Sequence, residues 1–376
     1  MVPRSPHEPH RVATPLELFF DLVFVVAIAM AANSLHHAVA ENHAAQGLLG
    51  YAMVFFAIWW AWVNFTWFAS AYDCDDVPYR LVVFLQLTGA LIMASGVPAM
   101  FEHRMANWAI VGGYVVMRFA GVAQWLRAAK ADPPRRVTAL RYAAGITAVQ
   151  IGWVASLWAP SIWIPAFLLL AVVEMLVPAW AERAAATTWH PHHIAERYGL
   201  LTMIVLGESI LAATGAVQSA VTSGAAGLNL LSMIVGGLLI VCSMWWIYFD
   251  RPLHGLLTSL PKALVWGYGH YFIFAAAAAV GAGLAAAVDV VTHEAHVTMR
   301  VAGAAVAIPV AVYVLSLWTL HYRPEYRRTL PYGPVAAALV LLTPFTPQPV
   351  LFTGLVLALL IGVKVVLTGS PPHAES

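Results

Sequence analysis

Long apolar runs, broken by short stretches holding proline, arginine or acid, repeat along all 376 residues of the chain. No run alternates with the period of two that a half-buried strand needs, and most are apolar all round, as helices surrounded by lipid are. At a rise of about 1.5 Å per residue, some 20 apolar residues cross about 30 Å of hydrocarbon. Twelve such helices are expected, over 15–37, 47–70, 79–101, 106–126, 137–157, 161–182, 195–216, 228–249, 262–286, 297–321, 330–345 and 348–368. The eleventh is closely bracketed by Pro331, Pro334 and Pro344, and the ninth carries an alanine-rich stretch suited to close helix packing. The fold class expected is therefore all-α: a polytopic transmembrane bundle.

Composition agrees. The chain is 61% hydrophobic and 10% charged, with a mean hydropathy of +0.77. Soluble domains carry about 25% charged residues. A formal net charge of +1 gives no long-range pull toward nucleic acid. The expected partners are the lipid bilayer and an unidentified small solute or ion, and an oligomer is open. Cys74 and Cys242 form no spacing motif, and no cofactor is legible. The first apolar run, followed by "AVAE" at 38–41, has the outline of a signal peptide, but Glu17 and Asp21 lie inside it. An uncleaved first helix is expected.

Loop charge sets the orientation. With a cytoplasmic N-terminus, one side holds Arg4, Arg11, Arg80, Arg127, Lys130, Arg135, Arg136, Arg141, Arg183, Arg197, Arg251, Lys262, Arg323, Arg327, Arg328 and Lys364. The other holds Arg104 and Arg300, with Arg118 mid-membrane. This predicts a membrane protein with both termini cytoplasmic. A weak repeat divides it further: "ELFFDLVFV" from Glu17 and "WWAWVNF" at 59–65 answer to "ERYGLLTMIVLGESI" from Glu196 and "WWIYFD" at 245–250. The offsets, 179 and 186 residues, nearly agree. Six helices per unit would give two halves of one orientation, as in transporters built from parallel repeats. The expected division is a cytoplasmic segment 1–14, a first half 15–190, a second half 191–368 and a tail 369–376.

Ionisable residues at depth are the candidates for chemistry, because the bilayer penalises them. Glu17 and Asp21 share one helix face. Glu17 is expected at the headgroup level, favouring a helix N-terminus, and Asp21 about 9 Å into the apolar layer. Glu208 lies between Gly207, where a neighbour or a solute can come close, and Ser209. Arg118 remains charged and requires a carboxylate. Counting helical rise puts Asp21 and Glu174 at its level, so it is expected to face the interior and pair with one of them. His270 is either a proton relay or a hydrogen-bonded core histidine. In the loop "DCDDVPYR", Asp76 reads as a helix start. Asp73, Asp75 and Asp76 suit capping or ion pairs better than a calcium loop, which needs a glycine and a distal glutamate. The clusters "HPHH" at 190–193 and "HEAH" at 293–296 lack a third metal ligand, so no metal site is expected. No catalytic constellation is present either: the sequence has no H-E-x-x-H, G-x-S-x-G, Walker or dinucleotide motif.

"PLELFFDLVFV", "DCDDVPYRL" and "ERYGLLTMIVLGESI" together resemble the bacterial low-temperature-requirement A (LtrA) family over most of the chain. The matching positions are Glu17, Phe20, Asp21, Asp73, Asp75, Asp76, Arg80, Glu196, Gly207 and Glu208. Cys74 stands where the family usually has a small polar residue. The resemblance implies an integral membrane protein linked by name to growth in the cold, and no agreed reaction. The residues themselves suggest an ion- or proton-coupled transporter or ion pathway, with Asp21, Glu208, Arg118, Glu174 and His270 along it. The alternatives are a membrane enzyme acting on a lipid or quinone, and a non-catalytic membrane stress factor.

Overall fold

A computed structural model describes residues 1–5, 8, 11–101, 107–222, 224, 227–322 and 332–368. Among them are thirteen α-helices and no strand. They are α1 (Pro15–Ala40), α2 (Ala44–Tyr72), α3 (Val77–Ser95), α4 (Val97–Phe101), α5 (Trp108–Ala131), α6 (Arg136–Ser156) and α7 (Trp163–Ala181). Then come α8 (Pro191–Thr222), α9 (Leu228–Phe249), α10 (Leu260–Val291), α11 (Met299–Leu317), α12 (Tyr332–Leu342) and α13 (Pro349–Thr368). A π-helical turn, Trp318–Tyr322, ends α11.

Every expected span falls on a helix, the third being broken at Gly96 between α3 and α4. Among the described residues, ten helices are long and apolar enough to cross a membrane. The two expected spans that fall short do so for visible reasons. In α6 the 21 residues include Arg136, Thr138, Arg141, Thr147 and Gln150, which dilute its apolarity. With 11 residues, α12 reaches only about 17 Å. Arg104, Arg323, Arg327 and Arg328 from the loop-charge count, and the tail 369–376, lie outside the described residues.

The chain forms two compact units, Met1–Ala31 with Gly50–Tyr198, and Ala32–Leu49 with Gly199–Ser376. In the first, α3 and α5 meet backbone to backbone. A Cβ on Gly89 would lie 2.7 Å from the Gly113 carbonyl oxygen, and one on Gly113 would strike Gly89 O. Next along, Trp125 of α5 stacks on Tyr142 of α6 with ring centroids 4.0 Å apart, and Gly145 of α6 seats Val177 of α7. The far side of α7 exposes Leu168, Leu169, Val172 and Leu176, a face that suits lipid and not water.

In the second unit α10 is the enclosed helix: Ile273, Phe274 and Ala276–Val288 are buried. Its small residues do what their sequence suggests. Gly283 lies against the backbone of Ala305 and Val306 on α11, and Gly281 against Ser209 of α8. Ser209 Oγ donates to Ala277 O at 2.9 Å. Likewise Gly236 of α9 admits the backbone of Leu351 on α13.

Candidate functional site

The first unit holds a sealed charge cluster at the start of α1. The sequence "TPLE" opens that helix as a capping box. Thr14 N donates to Glu17 Oε2 at 2.7 Å, and Glu17 N to Thr14 Oγ1 at 3.4 Å, with Pro15 at the first helical position, where its missing N–H costs nothing. Glu17 stands in the first turn of α1, as its sequence suggests, and is fully buried within the protein. Its free oxygen, Oε1, lies 3.0 Å from Arg197 Nη1 and 3.0 Å from His193 Nε2. One turn on, Asp21 receives Arg197 Nη2 at 2.5 Å and Nε at 3.2 Å, and Trp62 Nε1 at 2.6 Å. Arg197 thus forks between two carboxylates, using the planar donor set that lysine lacks. Its guanidinium also lies over the Phe65 ring, 5.7 Å from the centroid.

Arg11, 3% exposed, closes the cluster, with Nη2 3.8 Å from Glu17 Oε1 and 3.8 Å from Asp73 Oδ2. The same nitrogen donates to Ala69 O at 3.3 Å. Three carboxylates thus face two guanidiniums, and a proton on His193 would even the count. Burial pushes the Asp73 carboxyl up from its ordinary value. The motif aromatic Phe20 packs beside this cluster, stacked on Phe65 at 3.7 Å.

The other loop acids are also answered by arginine. Asp75, at a positive φ of 45° that Asp tolerates better than most residues, pairs with exposed Arg80 at 2.6 Å, which lowers its carboxyl pKa. Asp76 caps α3, accepting from Tyr79 N at 2.8 Å. It also takes Arg127 Nη2 at 2.6 Å, and that bond draws its pKa down to about 2. Capping and ion pairing therefore account for the loop.

Arg118 faces the interior and pairs with Glu174 at 2.9 Å. Of the two level-matched acids, Asp21 is not its partner, being held by Arg197. Tyr114 bridges the Arg118 pair: its hydroxyl donates to Glu174 Oε2 at 2.8 Å and accepts from Arg118 Nη2. Trp153 Nε1 adds a bond at 3.2 Å to the same Glu174 oxygen.

In the second unit His270 is fully buried. Its Nδ1 lies 2.8 Å from the Trp266 carbonyl, which can only accept, so Nδ1 carries the proton and Nε2 accepts from Tyr248 OH at 3.1 Å. That is the hydrogen-bonded core histidine, in a neutral tautomer. His36 pairs with Asp289 at 2.6 Å. Glu208 stands apart. It is half-buried on α8 and has no hydrogen bond or ion pair among the described residues. Nothing lies within 4 Å of the place a Gly207 Cβ would take, so no neighbouring backbone uses that space. Glu196, on the same helix but in the first unit, accepts from the Ala13 backbone.

Arg197 and His193 are the participants that sequence reasoning missed. Arg197 was expected among the cytoplasmic loop charges, and His193 in a histidine cluster without a third metal ligand. The overlooked signal was Pro191: proline at a helix start places both residues inside α8. Among the described residues no group of three or more His, Cys, Asp or Glu could hold a metal ion.

The family model for the bacterial low temperature requirement A protein (LtrA) matches residues 12–368. The chain belongs to the LtrA family. With its many apolar helices, this LtrA chain is a multi-pass membrane protein. It is 29% identical over 244 residues to a Rhizobium meliloti (strain 1021) protein named "Uncharacterized protein RA0937", covering 62% of this chain and 57% of that one. The LtrA chain thus spans little more than half the length of that relative. No solved structure matches it.

Proposed function

We propose that this protein is a proton- or ion-coupled transporter or ion pathway of the bacterial inner membrane, with Glu208 as the exchanging carboxylate. The observation that carries the reading is a contrast among intramembrane acids. Glu17, Asp21 and Glu174 each have a guanidinium at 2.5–3.0 Å. Glu208 has no partner among the described residues. A carboxylate within hydrocarbon must be protonated, hydrated or cation-bound. Glu208 is free to change among these states because no fixed counter-charge commits it to one. The paired acids act instead as a rigid frame. A cytoplasmic location for both termini, supported by the arginine distribution, and two parallel halves complete the proposal.

The test is flux in proteoliposomes loaded with a pH-sensitive dye, under an imposed proton or cation gradient. Wild type conducts, and Glu208→Gln, which keeps size but fixes the neutral form, loses about a hundredfold or more, the usual order for removing a proton-transfer group. Glu208→Asp retains part. Equal flux in wild type and the Gln variant overturns the role of Glu208. No flux, with turnover of added lipid instead, overturns the transport reading in favour of a membrane enzyme.

A further inference from the structure

One cleft in the first unit lies away from the charge cluster. A cleft of about 640 Å³ opens between α5 and α6, with Arg118, Phe119, Thr147, Gln150, Ile151 and Trp158 in its lining. That volume falls in the range that small-molecule sites occupy, about 300–1,000 Å³. The walls are mostly apolar, and Phe119, Ile151 and Trp158 are each more than 60% exposed. In a membrane protein such a cleft draws its occupant sideways from the lipid.

Three polar features define the occupant. First, both the Nε2 and the Oε1 of Gln150 are shielded and lack a hydrogen-bond partner among the described residues, as does Arg118 Nε. An unmatched buried amide is costly, and this one supplies both a donor and an acceptor. Second, the cleft offers no uncompensated charge, because Arg118 is already paired with Glu174; a neutral ligand fits and an anion does not. Third, Gln150 lies six residues before Ser156, the end of α6, so about 9 Å below that end. With Ser156 at the edge of the hydrocarbon layer, the ester groups of a phospholipid would be too shallow by that distance. The required molecule is neutral and lipid-soluble, carries a hydrogen-bonding carbonyl below the headgroups, and has a flat ring to lie against Phe119 and Trp158.

We propose that the α5–α6 cleft binds a prenylated quinone, with a ring carbonyl accepting from Gln150 Nε2, a ring hydroxyl of the quinol form donating to Gln150 Oε1, and the tail along the apolar wall. The binding is non-covalent and involves no electron transfer. It does not depend on Glu208, which lies in the other unit.

The experiment is equilibrium binding of radiolabelled decylubiquinone to the purified full-length protein in detergent, with folding checked by thermal unfolding and size-exclusion chromatography. Saturable binding near one per chain is expected. Gln150→Leu, which keeps the bulk and removes the amide, should weaken it at least tenfold. Val154→Trp, which fills the cleft from a different position, should abolish it. Leu126→Phe, on the exposed face of α5 outside the cleft, should bind as wild type does. No saturable binding by folded wild type overturns the proposal. So does binding that survives both cleft variants, or displacement of the label by equimolar dioleoyl phospholipid, which would give the cleft to acyl chains.

Discussion

Arg197 Nη2 lies 2.5 Å from Asp21 Oδ1 across 176 residues of sequence. With Glu17 on its other arm, this arginine joins the start of α8 to the start of α1 and neutralises two buried acids of the first helix. Removing one partner from a buried ion pair costs about 3–5 kcal/mol, because the remaining charge is left uncompensated. Arg197→Leu should therefore cut the yield of folded protein sharply. Arg197→Lys should rescue little, since an ammonium cannot fork between two carboxylates. Arg197→Leu combined with Glu17→Gln and Asp21→Asn should recover much of the loss, read as monodisperse protein after detergent extraction.

The Arg118–Glu174 pair gives a separate cycle. Arg118→Leu or Glu174→Leu alone should each destabilise by about 3–5 kcal/mol, and the double variant by much less. Tyr114→Phe removes the shared hydroxyl and should cost about 1–3 kcal/mol. Thermal unfolding of the four proteins in one detergent measures the coupling. Strict additivity would show that the pair is not energetically linked.

Asp76 supplies the pH dependence. Its pKa is drawn from 3.8 to about 2, chiefly by the Arg127 hydrogen bond. A carboxyl with a depressed folded-state pKa stabilises fully above its unfolded value and loses that contribution as pH falls through the folded one. Asp76→Asn keeps a good cap but loses the charge. The stability gap between wild type and Asp76→Asn should be constant above about pH 5 and close between about pH 4 and pH 2, followed by tryptophan fluorescence on heating. Asp76→Ala should lose the cap as well, about 1 kcal/mol more.

Adjacent glycines of α5 should respond in opposite ways. A Cβ on Gly113 meets the backbone of Gly89 and Met93, which cannot turn aside, whereas a Cβ on Gly112 meets nothing within 4 Å. Gly113→Ala should destabilise by about 1–3 kcal/mol. Gly112→Ala should stabilise by up to about 1 kcal/mol through helix propensity. Denaturation midpoints of the two variants check the sign.

Reporter fusions test the orientation. Fusions after residues 43 and 159 should read external, and those after 75, 132 and 188 cytoplasmic. Opposite readings at 75 and 188 would break the proposed six-helix first half.

Helix positions were legible because lipid demands apolarity along a whole span, which leaves a long signal in one dimension. The break at Gly96 and the brevity of α12 lay in details that hydropathy averages away. Depth counting found Glu174 as one of two candidates for Arg118, because rise per residue is constant; it could not choose, since rotation about each helix axis depends on packing. The partner of Asp21 was hidden for another reason. A span starting at residue 195 put Arg197 in its first turn, where it was counted with the cytoplasmic charges, whereas Pro191 starts the helix a full turn earlier and carries Arg197 deeper. Glu17 was legible as a helix-start acid; its burial was not, because Arg197 and His193 come to it from α8. Its one carboxylate closes the helix start with Oε2 and meets Arg197 and His193 with Oε1.

The long reach between Asp21 and Arg197 bears on how the protein is made. Ribosomes add about 5–20 residues per second, so the 176 residues separating the two take about 9–35 seconds to synthesise. Trp62, which also bonds Asp21, emerges within the first few seconds, but the guanidinium arrives only when α8 begins. Through that interval the nascent α1 holds two acids with no Arg197 to meet them. The late arrival of α8 completes the charge pairing of the first helix.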